Sequence, residues 1–307
     1  MIKTSPTSTS KVCIDGRLVP IARATIPVFD RAYLYGEGIF TTLRTYHGIP
    51  AFVDLHWARL QESCAQLGIR LSGSATTLRR DLIRLRRANK MDDAVLRVSV
   101  SAASSPNGQP MQRPRWLPGR VVITARPVLP RPARVYQHGA RIILIRTVTA
   151  DTPTVAQFKS NNGLRKILAH HEVLQARADE GLLCTSRFDI CEGIATNIFI
   201  VRNGVLITPP VSAGLLPGIT RGVVLQLARV LGLRVRESRL RLRDLQTADE
   251  MFLTGTTAEV LPVAEICDVA RRASRVSRGI TVKTPGPITC RLMAAYAQII
   301  AGQIPPN

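Results

Sequence analysis

Apolar and polar positions follow two distinct periods along the chain, and the switch between them predicts the elements. AVLRVSVSA (94–102) and RVVITAR (120–126) read as strands by their content of β-branched side chains. RIILIRTV (141–148) and DEMFLTGT (249–256) read as strands too. Asp15-Gly16 and Asn203-Gly204 sit between short strand-like runs as tight hairpin turns. A helical period starts with Asp54 as cap and a stripe of Leu55, Leu60, Cys64 and Leu67, closed at Gly68. TTLRRDLIRLRRAN (76–89) repeats the pattern with Leu78, Leu82 and Leu85. KILAHHEVLQARADEG (166–181) predicts a helix stopped at Gly181, and GITRGVVLQLARVLGL (218–233) one entered through Pro217-Gly218 and left at Gly232. SSPNGQPMQRPRWLPG (104–119) reads as a long polar loop.

These elements divide the chain. Residues 1–10, rich in Ser and Thr, read as a disordered tail, 11–125 as a smaller N-terminal domain, 126–134 as a stiff Pro-rich linker and 135–307 as a larger C-terminal domain. Helices and strands mix without strict βαβ alternation, so the expected class is α+β rather than a doubly wound sheet. No GxGxxG or GxxxxGK[ST] opens a helix after a strand, which removes the usual dinucleotide and P-loop readings.

Composition narrows the possibilities further. An apolar fraction of 45% over 307 residues supports a folded core, and no run approaches the roughly 18 to 20 apolar residues of a spanning helix. MIKTSPTSTS lacks the apolar stretch of a secretory signal, so the cytoplasm is the expected compartment. The six cysteines form no CxxC pair, and the adjacent His170 and His171 cannot share a helix face, so no metal site is expected. The net charge of +21 raises an anionic partner, with sixteen basic against three acidic side chains in residues 70–150. Thirty-six of the 42 basic residues are arginine, a bias that genome base composition produces without any binding role.

Lysine is therefore scarce, and Lys159 in the polar run FKSNN stands out. Arginine cannot lose its proton near neutrality, whereas a lysine amine can attack a carbonyl and hold it as a Schiff base. Glu192 adds a carboxylate in a chain poor in them, and Leu216-Pro217-Gly218-Ile219-Thr220 offers backbone N–H groups and a hydroxyl at a helix start, the natural seat of a phosphate. Amine, carboxylate and phosphate cradle together are what pyridoxal phosphate requires.

The blocks VFDRAYLYGEGIF, LHWARL, FKSNNGL, CEGIATNIFIV, LLPGITR and ADEMFLTGTTAEVLPV, in this order and at these intervals, resemble the class IV pyridoxal-phosphate enzymes: branched-chain and D-amino-acid aminotransferases and aminodeoxychorismate lyases. The resemblance runs from about Lys11 to about Gln303. It implies fold type IV, with a small N-terminal α/β sandwich and a larger C-terminal pseudo-barrel. It assigns Lys159 to the Schiff base and the proton shuttle, Glu192 to the pyridine nitrogen, and Arg59, Ile219, Thr220 and Thr256 to the cofactor phosphate. Tyr35, Phe40, Thr42, Arg44, Arg97 and Thr257 match positions around the substrate. The implied activity is amino transfer between an amino acid and a 2-oxo acid in a homodimer.

Departures from the family pattern bear on the substrate. Branched-chain members carry a tyrosine four residues after the lysine, where this chain has Gly163. Phe40-Thr41-Thr42 resembles the lyases, which form 4-aminobenzoate and pyruvate, whereas KSNNGLRKILAHHEVLQ resembles the transaminases. Lyase activity is the runner-up, and a nonenzymatic arginine-rich nucleic-acid binder on the same scaffold stands behind both.

Overall fold

The computed structural model describes residues 10–104, 115–150, 152–267 and 279–303. The expected tail up to residue 9 and positions 105–114 of the polar loop lie outside the described residues. The chain divides into two compact units, one comprising Met1–Leu129, Lys159–Asn162 and Gly302–Asn307, the other Pro130–Phe158 and Gly163–Ala301.

The first unit contains β1 (Lys11–Ile14), β2 (Arg17–Pro20), α1 (Arg31–Tyr35), β3 (Gly38–Tyr46), β4 (Ile49–Pro50), α2 (Val53–Gln66), β5 (Ile69–Arg70), α3 (Ala75–Ala88), β6 (Ala94–Ala102) and β7 (Leu117–Pro127). Its sheet runs β2-β1-β7-β6-β3-β4, with β5 paired to β7. Asp15 and Gly16 both take positive φ, as the β1–β2 hairpin turn demands. Leu43 and Leu96 from the sheet bury with Trp57 and Leu60 of α2 and Leu82 and Leu85 of α3 in one core.

Three expectations shift here. α2 begins at Val53 after Phe52 in a left-handed conformation, and Asp54 lies in its first turn, bonded to Arg79 at 2.8 Å instead of capping. Leu55 is 44% exposed. Five residues separate it from Leu60, about 140° around a helix, so it cannot share that stripe; Val53, His56 and Trp57 complete it instead. Strand β7 starts at Leu117, inside the stretch expected to be loop, because Leu117 pairs with Ile69 of β5.

The second unit contains α4 (Ala133–His138), β8 (Ala140–Leu144), α5 (Pro153–Ala156), α6 (Leu164–Gln175), β9 (Glu180–Cys184), β10 (Ile190–Gly193), β11 (Asn197–Arg202), β12 (Val205–Thr208), α7 (Ile219–Val230), β13 (Arg234–Glu237), α8 (Leu242–Gln246), β14 (Glu250–Gly255), β15 (Glu259–Cys267), β16 (Ile280–Thr281) and α9 (Pro287–Gly302). Its nine-stranded sheet runs β10-β9-β8-β15-β14-β11-β12-β13, with β16 on β15. The β15–β8, β8–β9 and β12–β13 pairs are parallel and the others antiparallel, which fits the expected pseudo-barrel and the α+β class. Ile142, Leu182, Ile198, Ile200, Leu253 and Leu261 share its main core.

Helix α6 stops at Gln175, short of Gly181. Arg177 takes the left-handed position (φ 51°) that glycine usually fills, and the N–H groups of Arg177 and Ala178 bond back to Leu174 and Val173, which closes the helix. Gly181 instead lies buried in β9, where a Cβ would meet Ile145 Cδ1 at 2.5 Å. Glu250 has a structural role: its carboxylate accepts from the N–H groups of Ile288 and Thr289 and from the Thr289 hydroxyl, capping the start of α9. Among the described residues no helix is long and apolar enough to cross a membrane, and no cluster of metal-binding side chains occurs.

Candidate active site

Strand β3 turns alternate side chains to opposite faces, and one face carries the candidate residues Phe40, Thr42 and Arg44. Ile39, Thr41, Leu43 and Thr45 are buried, while Phe40, Thr42, Arg44 and Tyr46 are half-buried on the other face. Thr42 lies opposite Arg97 of β6 in register. The Arg97 guanidinium sits 3.4 Å from the Phe40 ring centroid and donates to Asn161 Oδ1 at 2.9 Å, and burial lowers its proton affinity. Arg44 lies over the Tyr46 ring.

Lys159 reaches this face by backbone pairing. The Phe40 N–H donates to the Lys159 carbonyl at 2.7 Å and the Asn161 N–H to the Gly38 carbonyl at 2.9 Å, with Ser160 bridged to Ile39. The segment thus extends the sheet along the edge of β3. Gly38 permits this approach, because a Cβ there would meet Asn161 Nδ2 at 2.7 Å. The Lys159 ammonium lies 5.0 Å from the Phe40 ring centroid.

Arg59 comes to β3 from α2. It donates to Thr41 Oγ1 at 2.7 Å, and that hydroxyl lies 2.6 Å from His56 Nδ1. Burial holds the Arg59 pKa down at about 10. His56 is held well below the usual histidine value by burial first, then by the Arg59 and Lys159 cations, so its ring is neutral. Sequence reasoning missed His56 and Thr41, although His56 and Arg59 are three residues apart in LHWARL and therefore neighbours on one helix face. Tyr35 ends α1 as an exposed side chain, near the Arg31 guanidinium.

In the second unit, Glu192 of β10 is 5% exposed. Its Oε2 accepts from the Leu216 N–H at 2.9 Å, and Lys166 of α6 lies 3.7 Å from its Oε1. Helix α7 starts at Ile219 with Gly218 as its N-cap and no side-chain cap, so its first N–H groups have no acceptor within the helix. Gly218 packs tightly: a Cβ there would meet Asn197 Oδ1 at 2.1 Å, and Asn197 Nδ2 donates to the Leu216 carbonyl. Thr220 is buried and Ile219 half-buried in that first turn. Thr254, paired in register with Asn197, keeps a buried hydroxyl with no hydrogen-bond partner among the described residues. Thr256 is half-buried in the turn after β14, and Thr257 is exposed there. The structure thus gathers Phe40, Thr42, Arg97 and Lys159 in one unit, with Arg59 reaching β3 through Thr41. In the other it joins Glu192 to the Leu216 segment that leads into Ile219 and Thr220.

A buried carboxylate, an uncapped helix start and an edge-held lysine are parts for amine chemistry on an anionic group, which sets the protein among enzymes. Residues 38–266 match the sequence model of Amino-transferase class IV, and the chain belongs to that family. It is 35% identical to a putative branched-chain-amino-acid aminotransferase of Methanocaldococcus jannaschii over 94% of this chain and 96% of that protein. It is 31% identical to D-alanine aminotransferase of Bacillus licheniformis, covering 95% and 98% of the two chains. The structure of the branched-chain amino acid aminotransferase of Escherichia coli superposes with a TM-score of 0.84 at 27% identity, over 97% of each chain.

Proposed function

We propose that the protein is a pyridoxal-phosphate-dependent transaminase in which Lys159 supplies the reacting amine. The observation that carries this reading is the seat of Lys159: a rare lysine, fixed by main-chain hydrogen bonds on both sides and set beside Phe40 and Arg97. The residues of the second unit fit the cofactor, since α7 starts without a side-chain cap, Thr254 has a buried hydroxyl that finds no partner among the described residues, and Glu192 is a buried carboxylate. Bound pyridoxal phosphate supplies an aldehyde and an electron-withdrawing ring.

In this reading Lys159 Nζ takes the proton from substrate Cα and later returns it. Glu192 holds a proton on the ring nitrogen, and the Leu216 N–H keeps its carboxylate oriented. The first N–H groups of α7 at Ile219 and Thr220, with Thr256 and Arg59, bind the phosphate. Phe40, Thr42, Arg44 and Arg97 receive the substrate, with Arg97 positioned by Asn161. Tyr35 and Thr257 are the other residues assigned to the substrate in this reading. The exposed apolar side chains Val28, Phe29 and Tyr33 beside Tyr35 suit a second copy of the chain.

The lyase reading rests on Phe40-Thr41-Thr42, whose Thr41 meets Arg59 here. Purified protein should show a visible absorbance band that borohydride and Lys159→Ala both remove. It should form glutamate from 2-oxoglutarate and members of an L- and D-amino-acid panel. Pyruvate from aminodeoxychorismate without glutamate would replace this reading with the lyase, and colourless protein that takes up no cofactor would overturn both. Size-exclusion with light scattering should give twice the 33.6 kDa chain mass; a monomer would remove the second copy.

A further inference from the structure

Two polar side chains that sequence reasoning left aside form a chain into Arg59. Thr41 is fully buried on β3 and His56 is 2% exposed on α2. The Thr41 hydroxyl accepts from Arg59 at 2.7 Å and lies 2.6 Å from His56 Nδ1, and these are its two polar contacts among the described residues. A hydroxyl has a single proton. A Thr41 that accepted from both neighbours would leave that proton without an acceptor inside the core. Thr41 therefore donates to Nδ1, and the neutral imidazole carries its own proton on Nε2.

The order Arg59 to Thr41 to His56 then runs in one direction, each donor polarising the next. It fixes one corner of the Arg59 guanidinium, and it requires an uncharged His56. A charged imidazole would turn Nδ1 into a donor and place a second cation against Arg59. We propose that Thr41 and His56 are positioning residues that hold Arg59 for the phosphate of the cofactor. The proposal rests on the transaminase reading above, since Arg59 has a phosphate to bind only if that reading holds.

The phosphate makes the idea testable apart from folding. Apo protein is titrated with pyridoxal phosphate and with pyridoxal, which lacks the phosphate, and binding is followed by absorbance for wild type, Thr41→Val, Thr41→Ser and His56→Gln. Thr41→Val should weaken pyridoxal phosphate about tenfold and leave pyridoxal unchanged. Thr41→Ser should restore the wild-type ratio, and His56→Gln should fall between. Equal losses for both ligands, or no loss in Thr41→Val, would overturn the proposal while the transaminase reading stands. A wild-type chain that binds neither ligand would overturn that reading itself. If Thr41→Val does not fold, the His56→Gln ratio decides alone: selective loss of the phosphate form supports the proposal and an unchanged ratio refutes it.

Discussion

Two glycines four residues apart, the N-cap of α7 and a position inside it, should respond to alanine with opposite signs. At Gly218 the backbone (φ −67°) accepts any residue, so the cost is purely one of space. A Cβ would stand 2.1 Å from Asn197 Oδ1, and the amide must withdraw by about 1 Å to clear it. That movement breaks the buried Asn197 Nδ2 to Leu216 carbonyl bond of 2.9 Å. An acceptor left unsatisfied there costs about 1–3 kcal/mol, a fall in melting temperature of about 2–10 °C for a unit of this size. At Gly222 nothing lies within 4 Å of the new methyl, and the residue is an exposed position inside the helix. Alanine there should stabilise by about 0.5–1 kcal/mol. Thermal unfolding by calorimetry checks both, and titration with pyridoxal phosphate should show weakened binding for Gly218→Ala alone. The reasoning fails if Gly218→Ala melts with the wild type, or if Gly222→Ala melts lower.

Other outcomes follow from buried groups. Glu250→Gln sets an amide N–H against the N–H groups at the start of α9 and should cost about 1–3 kcal/mol in urea unfolding; an unchanged midpoint would remove Glu250 as the cap. Burial raises the proton affinity of Glu180, so its contribution to stability is complete below the ordinary carboxylate range and lost as pH rises through the folded value. Wild type should therefore lose stability relative to Glu180→Gln as pH climbs, and a melting series showing the reverse slope contradicts the burial argument. Burial pushes the Cys64 and Cys191 thiols up to about 12, whereas Cys290 is exposed. Ellman's reagent should label Cys290 first in native protein, and early labelling of Cys64 or Cys191 would refute their burial.

Elements with strong local patterns were legible in the sequence. AVLRVSVSA forms β6 over the expected residues, Asn203-Gly204 turns a hairpin, and Gly232 follows α7 with positive φ. The misses arise where tertiary pairing or backbone conformation acts. Leu117 joins β7 because of β5, and Arg177 ends α6 in a conformation that its side chain disfavours. Of the candidate site, the rarity of lysine exposed Lys159 and the Pro-Gly helix start exposed Ile219 and Thr220. His56 was hidden, because a histidine on an apolar helix face looks like core until the hydroxyl beside it is placed. Lys166 beside Glu192 was equally invisible, since twenty-six residues separate them in the chain.

The main-chain pairing of Lys159–Asn161 with β3 has a consequence for solubility. It covers donors and acceptors at Gly38 and Phe40 that would otherwise be an open template for another strand. Nicking the chain near this segment should thus do more than abolish turnover: it should unseal the rim of the sheet and invite sticking between molecules, so the stretch that carries the amine also serves as a guard against aggregation.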